Sequence, residues 1–311
     1  MEIRTKAALT TVIRAQGRAA LVVNVRSRRG RRHFAEVRQR LQAAGLDLMG
    51  VWPVSDPADL PQRLASAATC GADLVVVGGG DGTLSEACHQ LAHRDVCLGV
   101  LPLGTTNNFA RSLGLPLNLS EAVRTLTEGK VADVDLGHAA GRHFANLTSL
   151  GVSVLVAEHV PHGLKRLLGR AAYPLTALAL LPRHQPFRAR LRVDGEVYEL
   201  ATHQLNIANG SFHAGRAIAA DAGVDDRLLV VYRLGDANRL RLTAATVRQA
   251  LYGPYRPLAR SPFLTADKLW LETDPPLDLD IDGEIRGRTP VQITLEANAL
   301  RVMVRPSFRD T

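Results

Sequence analysis

Residues 73–86 read Asp-Leu-Val-Val-Val-Gly-Gly-Gly-Asp-Gly-Thr-Leu-Ser-Glu, and few folds accommodate such a run. The β-branched residues predict a buried strand over 74–77, the contiguous glycines predict a tight turn, and the residues from Thr83 predict a helix. A strand feeding such a turn and helix aims unpaired backbone N–H groups into one small volume, with the positive end of the helix dipole behind them. That volume suits phosphate. A glycine turn can also be a plain β–α connection, but Asp81 and Thr83 add a carboxylate and a hydroxyl that a purely structural turn does not need. The run is neither a Walker A loop, since no Gly-Lys-Ser/Thr follows, nor a G-x-G-x-x-G fingerprint.

The flanking chain repeats the alternation. An apolar strand over 19–25 runs into Arg26-Ser27-Arg28-Arg29-Gly30-Arg31-Arg32, and a helix follows with Phe34, Val37, Leu41 and Ala44 on one face and Gly45 as its stop. A strand over 48–52 and a helix over 57–69 lead to the glycine run. Beyond it come a helix carrying Leu84, Ala87, Cys88 and Leu91, a strand over 96–101, and a second turn, Pro102-Leu103-Gly104-Thr105-Thr106-Asn107-Asn108-Phe109. This order predicts a parallel sheet covered by helices, with ligand loops at the strand C-termini. Three such loops share one edge. The arginine cluster reads as a solvated face, a nucleic-acid patch or a phosphate clamp; its place level with the glycine run favours the clamp. A nucleic-acid partner is not expected, because aromatic residues make up only 5% of the chain and none interleaves with the arginines.

A helix over 120–128 closes this half, and from Lys130 the pattern changes to strands over 131–136, 144–150, 187–193, 198–208, 228–234, 264–272, 277–281, 291–295 and 300–304. Two helical stretches interrupt them, over 163–181 and 237–251. The expected architecture is an α/β N-terminal domain, residues 1–135, built on a parallel sheet with helices, plus a mainly β, sandwich-like C-terminal domain, residues 136–299. The last strand returns to the first domain from about 300–311. A length of 311 residues allows a core in each domain, and the 46% apolar and 22% charged content is that of globular chains.

The net charge of +8 points to an anionic partner. Cys70, Cys88 and Cys97 lack metal spacing and read as small core residues of a reducing compartment. The first twenty residues hold no secretory signal, and no stretch reaches the roughly 18 apolar residues of a membrane span. A cytoplasmic protein is expected. The apolar run over 171–181, beside Lys165, Arg166, Arg170 and Arg183, would suit a helix resting on anionic lipid and hence peripheral membrane association.

One turn occurs twice in the second domain, as Val193-Asp194-Gly195-Glu196-Val197 and as Ile281-Asp282-Gly283-Glu284-Ile285. Asp-Gly between apolar stretches is a hairpin signal, which accounts for the first copy. In the second, Asp282 and Glu284 would face one side if the strand continued, and such a pair could act as general base in phosphoryl transfer. Asp221, Asp225 and Asp226 precede the strand over 228–234, as turn formers or as oxygen ligands of Mg²⁺.

Taken together, Gly79-Gly80-Asp81-Gly82-Thr83, then Pro102-Leu103-Gly104-Thr105-Thr106-Asn107-Asn108-Phe109-Ala110, then Asp282-Gly283-Glu284 resemble the diacylglycerol kinase catalytic family. That family includes bacterial soluble lipid kinases and the sphingosine and ceramide kinases. The likeness covers nearly the whole chain, including residues 165–173 and 289–306. It implies a NAD kinase/diacylglycerol kinase-like architecture with ATP between the domains. Gly79, Gly80, Asp81, Gly82, Thr83, Leu84, Ser85 and Glu86 would line the ATP site with Thr105. Asn24 to Arg28 match the family's Asn-Pro-x-Ser-Gly loop with Val25 for proline and Arg28 for glycine; Asn24 and Ser27 persist, and Arg28 would meet phosphate. Ser55 stands where the family has a nucleotide-contacting threonine.

The resemblance further implies Mg²⁺ at Gly223, Asp226 and Leu228, with Arg227 where glycine is usual. Asn108 replaces a family aspartate, so a carboxylate network with Asp81 and Asp135 is one charge short. The implied proton acceptor is Glu284, assisted by Asp282, with Asp81 acting through Mg²⁺ and water. The expected function is an ATP- and Mg²⁺-dependent lipid kinase acting on a diacylglycerol-like hydroxyl at an anionic membrane surface. NAD kinase shares the Gly-Gly-Asp-Gly-Thr loop, but the 104–109 turn and Asp282-Gly283-Glu284 favour the lipid branch. A catalytically weak nucleotide- and lipid-binding protein on the same fold is the other alternative. An exposed edge strand of the second domain could pair with a second copy, giving a homodimer.

Overall fold

Short, apolar strands buried on both faces form the centre of the first half, as a parallel sheet covered by helices requires. The computed structural model describes residues 4–160, 176, 179–180, 184–210, 212–213, 216–217, 223–234 and 263–310. In order come α1 (Lys6–Gln16), β1 (Arg18–Asn24), α2 (Arg28–Ala43), β2 (Asp47–Val54), α3 (Leu60–Thr69), β3 (Leu74–Gly79), α4 (Asp81–Leu91), β4 (Cys97–Pro102), α5 (Asn108–Ser112) and α6 (Leu119–Glu128). The strands lie in the order β2-β1-β3-β4, all parallel. One apolar layer gathers Leu64, Leu84, Cys88 and Phe109, and the other Leu9, Ile13, Val37, Leu41 and Leu126. Helix α1 went unread in the sequence, although Thr5 caps its start, Leu9 and Ile13 lie four apart, and Gly17 ends it at φ 61°.

The glycine run differs from the expected turn. Strand β3 continues through Gly79 and α4 begins at Asp81, two residues before Thr83, so Gly80 alone connects them. None of Gly78, Gly79, Gly80 and Gly82 has a positive φ. Close approach, not torsional freedom, is what these glycines provide.

The second half contains β5 (Lys130–Ala139), β6 (Arg142–Phe144), β7 (Leu147–Gly151), α7 (Val152–His159), β8 (Phe187–Val193), β9 (Glu196–Thr202), β10 (Gln204–Ala208), β11 (Phe212–His213), β12 (Arg216–Ala217), β13 (Leu229–Leu234), β14 (Leu264–Ala266), β15 (Lys268–Asp274), β16 (Asp278–Ile281), β17 (Glu284–Arg288) and β18 (Val291–Val304). Where two strands were expected over 291–304, β18 is one, with a register shift between Glu296 and Leu300. Its start pairs with β15, and its end lies parallel to β4 at Val302 and Leu98. One sheet therefore runs from the α/β half into the β half, in the order β2-β1-β3-β4-β18-β15-β8-β9.

An antiparallel sheet, β14-β13-β10-β7-β16-β17, packs on it through Leu150, Leu205 and Ile207 against Phe187, Leu191, Leu271 and Ile293. The expected strand over 198–208 breaks at His203, because its two halves serve different sheets. The helices expected over 163–181 and 237–251 lie outside the described residues apart from Thr176, Ala179 and Leu180, as do Lys165, Arg166, Arg170, Arg183 and Asp221.

Candidate active site

The ends of β1, β3 and β4 meet at one edge, and small residues let their loops touch. A Cβ on Gly79 would lie 2.5 Å from the Thr83 side chain, and one on Gly104 would lie 2.4 Å from the Gly80 Cα. Side chains larger than hydrogen would push the first turn of α4 off its strand and the two loops apart. Gly82 is different: a Cβ there meets nothing within 4 Å and would project into open space. Asn24 Nδ2 donates to the Thr83 hydroxyl at 3.0 Å, and Asp81 accepts from the Thr106 hydroxyl and from the Asn108 backbone N–H. Asp81 thus binds the third loop to the start of α4.

Helix α2 starts inside the arginine cluster, because Ser27 caps it by accepting the Gly30 N–H at 2.9 Å. A Cβ on Gly30 would lie 1.9 Å from the Asn24 carbonyl oxygen, so this loop has its close-approach glycine at 30 while Arg28 occupies the first helical turn. Val25 donates its N–H to the Val54 carbonyl at 2.9 Å, a bond that proline could not make. Arg29 Nη1 donates to the Gly104 carbonyl at 3.0 Å.

The N-termini of α2 and α4 border the same cleft, of about 730 Å³. It brings together Asn24, Ser27, Arg28, Gly80, Asp81, Gly82, Thr83, Glu86, Thr105 and, from the second domain, Glu284. Sequence reasoning missed Arg29, Arg286 and the apolar surface of Pro57, Ala58, Leu60 and Pro61. Arg29 was within the cluster already singled out; no sequence signal marked the others. Helix dipoles and arginines in one cleft make an anion site, and the apolar surface adds room for a flat, uncharged group.

Five expected residues lie elsewhere. Ser55 is exposed outside the cleft, whose border is formed instead by its neighbours Pro57 and Ala58. Gly79 is the buried end of β3, and the Leu84 side chain sits in the core, as its place on the inner face of α4 dictates. Ser85 hydrogen-bonds Asp282. Asp282 is not beside Glu284 in the cleft, because the strand does not continue: Asp282 and Gly283 form a tight hairpin turn, with φ of 51° and 96°.

The Asp282 carboxylate instead accepts backbone N–H groups of Ala145 at 2.8 Å, Asn146 at 3.0 Å and Leu147 at 3.1 Å. Burial pushes this carboxyl up from its ordinary value, and the amides and Ser85 pull it part of the way back. Glu284, the next residue but one, is half exposed and pairs with Arg286 at 2.9 Å. Glu86 is held below the usual carboxylate range: burial opposes its charge, but Arg142 at 2.6 Å and Gln90 at 2.9 Å outweigh it.

The loop before β13 closes on itself. Asp226 accepts the N–H groups of Gly223 at 2.6 Å and Leu228 at 3.1 Å, and burial, opposed by these bonds, pushes its carboxyl up. Arg227 has φ 61°, which explains why glycine suits the position. Buried Asp135 accepts the N–H groups of Arg227 at 2.8 Å and Asn298 at 2.9 Å, tying this loop to β18. Gly223, Asp226 and Leu228, the residues expected at Mg²⁺, thus lie together in one closed loop, where the Asp226 carboxylate is the hard oxygen donor.

Comparison with known proteins shows the family and the fold. Residues 18–139 match the diacylglycerol kinase catalytic domain, and residues 146–304 match the YegS C-terminal NAD kinase beta sandwich-like domain. The chain is 30% identical to a diacylglycerol kinase of Bacillus subtilis (strain 168) over 88% of its own length and 91% of that protein's. It is 33% identical to a probable lipid kinase YegS-like of Stenotrophomonas maltophilia (strain K279a), over 79% and 82%. A crystal structure of a diacylglycerol kinase from Bacillus anthracis str. Sterne superposes with a TM-score of 0.76 at 26% identity, covering 94% of this chain and 98% of that one. The chain belongs to the diacylglycerol kinase catalytic family of lipid kinases.

Proposed function

We propose that this family member transfers the γ-phosphoryl group of ATP to a hydroxyl of a diacylglycerol-like lipid in the cleft between its domains. The observation that carries this reading is the meeting of an anion-binding wall, from α2 and α4, with the Glu284 carboxylate of the second domain. The triphosphate rests on the N–H groups at the start of α4 and against Arg28 and Arg29, with Gly82 leaving space for close approach. Asn24, Ser27, Thr83 and Thr105 border it, and Pro57 and Ala58 offer the base an apolar surface.

In the reaction the lipid oxygen forms a bond to the γ-phosphorus as the bond to the bridging oxygen of ADP breaks, and the hydroxyl proton passes to Glu284. Arg286 holds that carboxylate in place. The transition state for phosphoryl transfer is loose, so orientation and charge matter more than base strength. Mg²⁺ supplies charge compensation for the transferring group when bound; Asp81 would serve it in the cleft, and Gly223, Asp226 and Leu228 would hold a structural ion.

The acceptor lies at a membrane. Exposed Ile285, between Glu284 and Arg286 and near Arg288, gives β17 the mixed apolar and basic character of a surface that meets anionic lipid. No helix among the described residues is long and apolar enough to cross a membrane. Edge strands such as β9 leave room for pairing with a second copy, which sedimentation would detect.

Incubation with γ-labelled ATP, Mg²⁺ and a total lipid extract tests the function. A labelled phosphatidic acid-like product is expected. Labelling of NAD with no lipid product would move the activity to NAD kinase, and tight ATP binding without any transfer would leave a binding protein.

A further inference from the structure

Four imidazoles and one carboxylate meet outside the cleft, and the proposed kinase reaction uses none of them. His89 lies on α4, His93 in the turn after it, His138 and His143 on the β5–β6 hairpin, and Glu296 at the register shift of β18. We propose that this cluster is a transition-metal site, taking Zn²⁺ through His93, His143 and Glu296.

His93 Nε2 lies 2.6 Å and His143 Nε2 lies 2.9 Å from the same oxygen, Glu296 Oε2, and the three ligand atoms all fall within 4.8 Å of one another. Tetrahedral zinc with bonds of about 2.0–2.1 Å holds its ligand atoms roughly 3.3–3.4 Å apart, so each imidazole nitrogen must draw back from Glu296 Oε2 by less than an ångström to admit it. His138 Nδ1 lies 3.9 Å from the other Glu296 oxygen, at the border of the cluster. His143 turns its remaining nitrogen to His89 Nδ1 at 3.2 Å, the outer-shell bond that orients a ligating imidazole.

A carboxylate only accepts, so two ring nitrogens set against one of its oxygens need either protons or a shared cation. Neutral Nε2–H tautomers meet that need by donating to the oxygen, and zinc meets it by binding all three groups. Arg142 on the same hairpin does not compete, being paired with Glu86 at 2.6 Å. Two imidazoles with a carboxylate select a borderline transition ion over Mg²⁺. His93 and Glu296 are accessible to solvent, so the ion has a way in. Bound there, it would fasten the far end of α4, whose first residue is Asp81, to the strand and hairpin that join the two domains.

The test uses the full chain, stripped by chelator, dialysed against Zn²⁺ and assayed for bound metal and thermal midpoint. One zinc per chain is expected, with a midpoint that rises with Zn²⁺. Glu296→Gln and His143→Ala should each weaken zinc binding by at least about tenfold, and His89→Ala by about tenfold through the outer shell. If His143→Ala fails to fold, His93→Gln, at an exposed position, must show the same loss. Absence of stoichiometric zinc in the wild-type chain, or undiminished binding in Glu296→Gln or His93→Gln, overturns the site.

Discussion

The two Asp-Gly-Glu hairpins are built alike and surrounded differently. Asp194 and Gly195 turn β8 into β9 with φ of 51° and 84°, and Asp282 and Gly283 turn β16 into β17 with φ of 51° and 96°. Val193 pairs with Glu196 as Ile281 pairs with Glu284. The first hairpin ends an outer strand pair of its sheet: Asp194 is exposed, and Glu196 accepts the neighbouring Tyr198 hydroxyl, at 2.5 Å. The second lies over the β6–β7 connection and α4, where three backbone amides and Ser85 grip Asp282, and Glu284 is left at the cleft. The motif makes a turn in either place. Its surroundings decide whether the aspartate becomes a bracket and whether the glutamate reaches the cleft.

Breaking the bracket should have the largest effect on stability. Asp194→Ala and Asp282→Ala both force alanine into a left-handed turn, at a cost of about 1 kcal/mol. Asp282→Ala also orphans three amides, so urea unfolding should show it less stable than Asp194→Ala by about 3 kcal/mol. Equal stabilities would mean that the two turns are equivalent after all.

Ser85→Ala should cost about 1 kcal/mol in the wild type and nothing further in Asp282→Ala, a coupling read from the double-mutant cycle. The smallest effect concerns the other tie between α4 and the second domain, Glu86 with Arg142. The Glu86 carboxyl is depressed on folding, so its contribution is present above the unfolded value of about 4.3 and is lost as pH falls through the folded one. A thermal-melt series from neutral pH to pH 3 should therefore decline more steeply for wild type than for Glu86→Gln.

Much of this architecture was legible in the sequence, since buried parallel strands are continuous apolar runs and α1, α2, α3 and α6 stop at or beside a glycine. The roles of single glycines were not. Gly79 and Gly104 look like turn residues, yet they are needed where backbones nearly touch, at contacts that only the assembled loops create. Likewise the Asp-Gly-Glu turn chemistry did not separate the copies, which only the family resemblance did, because the amides of Ala145, Asn146 and Leu147 come from a distant part of the chain. The histidine cluster was invisible for the same reason: its members lie on three elements that meet only in the fold. Ser55 misled because it aligns with a family contact, while here the following prolines border the cleft.

The most direct measurement follows γ-phosphoryl transfer to diacylglycerol in anionic vesicles by wild type, Glu284→Gln and Glu196→Gln, with ATP affinity measured by calorimetry on each. Glu284→Gln should bind ATP as the wild type does and transfer at least about 100-fold more slowly, and Glu196→Gln should match the wild type. Transfer by Glu284→Gln within a few-fold of wild type would contradict its place as the proton acceptor and with it the distinction between the two hairpins.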